Sequence, residues 1–301
     1  MAISRAQLVK ELEPGLNALF GLEYKSYANE HAEIFDTESS DRAFEEEVML
    51  SGFANATVKP EGQGVQFDDA QETFTARYTN ETIALAFAIT EEAIEDNLYD
   101  RLASRYTKAL ARSMANTKQV KAAAVLNNGF NANFAGGDGV ALFATNHPTI
   151  AGTFSNELAV ASDLNETSLE QALIDIAAMT DERGLKIASR GMKLIIPSAL
   201  QFTADRLMKS EGRTGTADND INAVKNMGMI PQGYTVNHFL TSAKKWFIKT
   251  DVPNGLKHFV RSPIKTSMEG DFDTGNVRYK ARERYVFGFS DPRGIFGSDA
   301  V

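Results

Sequence analysis

The chain contains no cysteine, so it has no disulfide framework, no thiolate nucleophile and no cysteine-ligated metal. It also lacks any apolar run near the roughly 20 residues that a membrane-spanning helix needs, and no membrane partner is expected. Its start, Met1 to Arg5, leads into alternating charge instead of the apolar centre of a signal peptide, and the protein is expected to stay in the compartment where it is made. Basic residues are in deficit, with 31 Lys and Arg against 40 Asp and Glu and a net charge of −9. That balance argues against a protein whose main task is gripping nucleic acid, because such affinity comes from clustered cations.

Catalytic signatures are missing as well. The 4 histidines, His31, His147, His238 and His258, do not stand in the i, i+4 spacing of a zinc hydrolase. Asp271, Asp273 and Gly275 approach a calcium loop, but Arg282 occupies the place where a bidentate Glu belongs, so a turn between strands is expected. Gly136, Gly137 and Gly139 lack the Lys and Ser or Thr of a phosphate loop, and no Gly-x-Ser-x-Gly elbow, Rossmann or kinase signature is present. Paired acids such as Asp68 with Asp69 read as a solvated face. No catalytic residue, metal or cofactor is assigned, and no enzyme activity is expected.

What the sequence does contain is uneven charge and clear periodicity. Residues 1–100 hold 21 Asp and Glu against 6 Lys and Arg, whereas residues 101–301 hold 19 against 25. An acidic segment of one subunit can lie on the basic surface of its neighbour, although a solvated acidic face is the alternative. Leu8, Leu12, Leu16, Leu19 and Phe20 predict an amphipathic arm interrupted at Pro14 and Gly15. Residues 30–47 are acidic and predict an extended segment without a core of its own. From Val48 to Ile89 the pattern predicts a long hairpin with its turn at Lys59 to Gly64 and its buried root at Ile83, Leu85, Phe87 and Ile89.

A helix is predicted from an N-cap at Thr90 to about Asn128, with Ile94, Leu98, Leu102, Tyr106, Leu110, Ser113, Thr117, Val120 and Ala124 as its apolar stripe. Arg101, Arg105, Lys108 and Arg112 form a line a quarter turn away, suited to a salt-bridge face or to DNA. An α/β region follows. It has a helix over 165–182 stopped by Gly184, a strand at Met192 to Ile196, a helix after Pro197 carrying Leu200, Phe202, Leu207 and Met208, and a loop over 211–220. Strands are predicted near 234–239, 246–250 and 258–260. The closing strand places Val277, Tyr279 and Ala281 inward and Arg278, Lys280, Arg282 and Arg284 outward.

This order of elements resembles the major capsid proteins of tailed bacteriophages, and within them the Mu-like head-subunit group. The stretches carrying the resemblance are Ala84 to Asp96, Leu142 to Pro148, Lys193 to Leu200, Trp246 to Asp251 and Arg282 to Gly297. It implies an α+β fold of the Hong Kong 97 type. The expected parts are an N-terminal arm (1–47), a hairpin (48–89) with its E-loop over Ser51 to Asn80, and a peripheral domain with a spine helix (90–150). An axial domain (151–257) and strands returning to the peripheral domain (258–301) complete it.

The implied function is a virion shell of hexamers and pentamers, assembled in the host cytoplasm around double-stranded DNA that is contacted non-specifically. About 45 residues precede the hairpin, so a separate scaffolding protein and a portal are the expected partners. Lys59 is the sole lysine of the hairpin, and a crosslink through it is not expected. Expected interface residues between subunits are Lys59, Asp68, Asp69, Glu72, Arg101, Arg105, Lys108, Arg112, Arg278, Lys280, Arg282 and Arg284, with the acids Asp68, Asp69 and Glu72 meeting the Arg278, Lys280 and Arg282 face or the Arg101 to Arg112 line. An encapsulin-like shell around a cargo enzyme is the alternative, since it shares this fold.

Overall fold

In the computed structural model the residues described are 5–90, 92, 99–213, 220–271 and 275–300, with side chains described except at 5–12 and 99–102. The organising element is the spine helix, α2 (Tyr99–Asn127). The predicted N-cap, Thr90, is described and stands exposed after the strand that ends at Ile89, whereas Ile94 and Leu98 lie outside the described residues, as does the side chain of Leu102. The buried face carries Ala103, Thr107, Leu110, Ala111, Met114, Ala115, Gln119, Ala122, Ala123 and Leu126. The predicted stripe was therefore misplaced by well over a quarter turn, at about 100° per residue, and Tyr106 and Val120 are about half exposed (50% and 49%). Large apolar side chains drew the prediction, but two sheets press so closely on this helix that alanine, threonine and glutamine occupy the contact.

The N-terminal half of α2 packs on a four-stranded sheet of order β1-β10-β11-β4. Its strands are β1 (Asp36–Ser39), β4 (Glu81–Ile89), β10 (Leu256–Gly270) and β11 (Val277–Phe289). β11 behaves as its alternation predicts, with Val277, Tyr279 and Ala281 buried and Arg278, Lys280 and Arg282 exposed. Helix α1 (Arg5–Ser26) covers the same layer through Leu16 and Phe20. It is one helix with Pro14 inside it, not two pieces. Proline in a helix interior costs about 3 kcal/mol, and burial of Leu16 and Phe20, further along the same helix, offsets that cost.

The predicted hairpin is corrected. Its arms are β2 (Phe44–Leu50) and β3 (Glu72–Thr79), and they pair with each other. The strand after Asn80 leaves the hairpin and pairs with β11 across its whole length. Buried Asn80 makes the break, because its backbone N–H donates to the Ala43 carbonyl and its side chain donates to Ser40 Oγ and the Arg42 carbonyl. A period of two runs through both strands, so the alternation alone could not reveal the change of sheet. Of the predicted root, Ile89 is buried and Ile83 and Phe87 are partly buried, but Leu85 is 46% exposed because β4 is an edge strand.

The second sheet has the order β12-β9-β7-β8, from β7 (Gly191–Ile196), β8 (Tyr234–Val236), β9 (Trp246–Thr250) and β12 (Ile295–Ser298). The last strand of the chain thus joins this sheet, while β10 and β11 stay in the first. Leu194, Ile196, Trp246 and Ile248 face α3 (Glu166–Ala178) and α4 (Gln201–Lys209). Ile195, Phe247 and Ile295 face the opposite way, onto Ala122 and Leu126 of the spine helix. Helix α3 begins at an Asn165–Ser168 capping box and ends at Ala178, so Gly184 serves a separate turn, with Ala172 buried and Ala177 exposed. Phe202 is also exposed, at 75%. A short helix, α5 (Ala223–Asn226), and the two-stranded β5 (His147–Thr149) and β6 (Gly152–Phe154) complete the described elements.

The corrected helix face is testable by urea denaturation. Met114→Ala should cost about 2–5 kcal/mol, whereas Val120→Ala should stay within about 0.5 kcal/mol. The opposite ranking would restore the predicted stripe.

Candidate assembly surfaces

Between β2 and β3 the chain makes a loop, residues 51–71, in which every residue after Ser51 is exposed. Its apolar side chains are out in solvent too: Phe53 61%, Val58 93%, Val65 68% and Phe67 93%. Water-facing aromatic and branched residues on an unsupported loop are the mark of a surface that another protein covers. Lys59 lies exposed at the loop tip. Asp68 sits nearer the root, where its carboxylate accepts from the Ala54 N–H at 2.7 Å, which holds its pKa below the usual range. Arg183 of the same chain reaches both acids, lying 3.9 Å from Asp68 and donating to the Asp69 carbonyl at 2.6 Å. Glu72 is exposed at the first position of β3 and stands opposite Leu50.

The loop is carried on a rigid root. The Tyr78 hydroxyl bonds Ser290, Ser290 bonds Glu47, and the buried Lys257 ammonium pairs with Glu38 and, at 3.4 Å, with Glu47. A Cβ on Gly288 would stand 2.6 Å from the Tyr78 ring, so only glycine permits this approach. Beside it, Arg293 (3% exposed) donates to Glu182 at 2.7 Å, to Asp291 at 3.3 Å and to the Thr180 carbonyl at 2.8 Å. Its guanidinium also covers the Phe154 ring at 4.2 Å. Burial pushes the Asp291 carboxyl above its ordinary range, and Arg293 opposes that shift. Sequence reasoning missed this knot. Its one signal was a lone Asp291-Pro292-Arg293-Gly294 run inside an otherwise apolar ending.

The two basic groups do not come together. Arg105, Lys108 and Arg112 are exposed on the side of α2 away from its buried face, while the Arg101 side chain lies outside the described residues. Lys280 and Arg282 are exposed on the outer face of β11, next to Ala84 and Ala86 of β4. Arg278 on that face is bonded to Asp271, and Arg284 is half-buried with its Nε unpartnered among the described residues. Because α2 packs on the inner face of this sheet, the two rows look out from opposite sides of one layer.

The acidic segment has partners within its own chain, which neither the neighbour reading nor the solvated-face reading anticipated. Glu30 meets His238 at 2.7 Å, Glu33 meets Lys193 at 3.3 Å, Asp36 meets Lys249 at 2.9 Å, and Glu38 meets Lys257. Among the described residues no group of His, Cys, Asp and Glu is placed to hold a metal ion, and no helix is long and apolar enough to cross a membrane.

A family model described as phage capsid protein matches residues 72–298, most of the chain. The chain belongs to the phage capsid protein family. Members of this family are structural proteins, not enzymes. The fold is that of Hong Kong 97-like capsids. It is similar to the capsid of an empty GTA particle, with a TM-score of 0.54, 11% identity, and coverage of 91% of this chain and 91% of that one. It is also similar to a virus-like particle from Pyrococcus furiosus (TM-score 0.52, 11% identity, 94% and 98% covered). A third likeness is to the procapsid of bacteriophage JBD30 (TM-score 0.51, 17% identity, 98% and 76% covered). At these identities the likeness is one of fold. No curated protein matches the sequence.

Arg293→Met should cost about 3–5 kcal/mol, because it leaves Glu182 buried and unpaired. Adding Glu182→Leu should recover most of that loss. Chemical denaturation of both variants checks this, and equal losses in the two would place the importance of Arg293 elsewhere.

Proposed function

We propose that this phage capsid protein is the major head subunit, building an icosahedral shell of hexamers and pentamers around double-stranded DNA. The observation that carries this reading is the exposed loop with Phe53, Val58, Val65 and Phe67 in solvent, mounted on a rigid root. Such a loop has no use in an isolated monomer and is the E-loop that reaches over the next subunit. The spine helix with the first sheet is the peripheral domain, and the sheet of β7, β8, β9 and β12 with α3 and α4 is the axial domain.

With Lys59 at the tip of the same contact, Asp68, Asp69 and Glu72 then meet basic residues of a neighbour. Lys280 and Arg282 are the best placed of these, because flat alanines flank them. The opposite row, Arg105, Lys108 and Arg112, is free for packaged DNA. Assembly takes place in the host cytoplasm with a separate scaffolding protein and a portal, and the local stretches such as Leu142 to Pro148 support the Mu-like head-subunit group. An encapsulin-like compartment is the second reading, favoured by the fold likeness to the Pyrococcus furiosus particle. The family described as phage capsid protein favours the first.

Replacing residues 53–68 with a short Gly-containing turn should leave thermal unfolding of the unassembled chain nearly unchanged, because a solvated loop adds little to its own core. Assembly, followed by electron microscopy and light scattering with and without scaffold, should fail. Shells that form at wild-type concentration from the shortened chain would overturn the role of the loop. Asp68→Lys with Asp69→Lys should make assembly slower and more salt-sensitive, each exposed pair contributing only about 0.2–1 kcal/mol but recurring at every interface.

A further inference from the structure

Residues 29–40 form a strap that crosses between the two sheets. It consists of a turn, Glu30–Glu33, and the four-residue β1, which pairs with β10 at the sheet edge. Its four acids reach outward to His238, Lys193, Lys249 and Lys257, as described above. His31, Ile34 and Phe35 point inward and are buried against the spine helix and β11.

His31 is held in one protonation state by geometry. Gln119 of the spine helix accepts the His31 backbone N–H at 3.1 Å through Oε1. Its Nε2 donates to the Ala28 carbonyl at 3.2 Å and lies 3.0 Å from His31 Nδ1. The amide cannot turn over without losing the first two bonds, so Nδ1 must be the acceptor and carry no proton. A proton there would set two donors against each other. His258 lies edge-on to His31 at 5.2 Å and stacks on Phe287 at 4.2 Å. Its Nδ1 meets Thr37 of the strap at 3.1 Å, and its Nε2 is buried with no hydrogen-bond partner among the described residues.

The charged groups around the pair offer little compensation. From α2 comes Lys118, which lies over the Tyr285 ring and pairs with Glu283 at 3.5 Å. From β11 comes Glu283, 1% exposed, which already accepts from Tyr24 of α1. Glu81 of β4 is bonded to Lys121. Lys257 on β10 is committed to Glu38 and Glu47. A cation formed on either imidazole therefore meets an ammonium before it meets a free carboxylate.

We propose that the His31–Gln119–His258 cluster is an acid-operated latch, and that protonation of its imidazoles releases the 29–40 strap from the spine helix and the sheet edge. Burial, Lys118 and the neighbouring ring hold His258 down to about 3, and burial and Lys118 lower His31. Both are bases with depressed values, so their contribution is complete above the ordinary histidine value near 6.5. It is lost as pH falls below that value. Glu283 acts in the other direction. Burial raises it, and its protonation on acidification relieves a cost while removing the counter-charge of Lys118. Glu33 stays ionised in this range, held low by Thr235 and by Lys193. Opening thus frees charged carboxylates instead of neutralising them.

Hydrogen exchange of the full chain, followed by mass spectrometry at pH 7.5 and pH 5.5 and corrected for intrinsic rates, tests the latch. Protection of the 29–40 amides should fall about tenfold at pH 5.5 for each imidazole kept neutral by the closed strap, while helix α3 keeps its protection. In the double variant His31→Gln with His258→Phe the fall should disappear, His238, which pairs with Glu30 of the strap from outside it, being left in place. Ring-proton NMR of the wild-type chain adds a measurement independent of the variant, in which His31 and His258 should charge only as the strap opens, below pH 6.5. Equal strap protection at the two pH values, an undiminished fall in the double variant, or a His31 ring that charges above pH 6.5 with the strap closed would each overturn the proposal.

Discussion

The spine helix is buried by two sheets at once. Ala103, Leu110, Ala111 and Met114 meet Tyr279, Ala281 and Ile89 of the first sheet, and Ala122 and Leu126 meet Ile195, Phe247 and Ile295 of the second. A single rod with both sheets packed on one face sets their spacing, because close-packed side chains tolerate little change in volume. Small residues along α2 let the layers approach, and the stacked rings of Phe130, Phe143 and Phe247 fill the far end at 4.6 and 5.1 Å. Everything at the surface, from the loop to the strap, hangs from this arrangement.

Buried charge concentrates where these layers and the hairpin meet. Arg293 with Glu182, Lys118 with Glu283, and Lys257 with Glu38 and Glu47 each join elements distant in sequence. Ion pairs of this kind add little net stability over apolar residues, but breaking one is expensive. They set how the hairpin, arm and sheets register with one another. For a shell subunit that register matters more than stability, since it fixes the angle at which the loop leaves the body. The solvent-exposed apolar side chains at positions 53, 58, 65 and 67 are the complement of this rigid root.

The acidic first third of the chain turns out to serve two purposes. Glu30, Glu33, Asp36 and Glu38 are spent within the chain on bases that both sheets present. Asp68 and Asp69, at the loop root, touch Arg183 while remaining near the surface. Composition could register the asymmetry of charge but not its destination, since a carboxylate near an arginine of its own subunit and one near a neighbour's are the same letters in a sequence.

What the sequence by itself determined were properties that repeat along the backbone. The uninterrupted helix around Tyr99–Asn127, the inward and outward faces of Val277 to Arg282, the short buried strand Met192 to Ile196 and the lack of any catalytic constellation were all legible, because periods of 3.6 and 2 are local. Only the tertiary structure decided which turn of the helix was buried, because the contact selects small residues that a hydrophobic stripe overlooks. It also decided that Asn80 divides one alternating run between two sheets, that Pro14 stays inside a helix, and that Leu85 lies at an exposed edge. The same holds for His31, Gln119 and His258, drawn from a turn, a helix and a strand. Their meeting depends on three chain segments packing together, and no spacing along one of them encodes it.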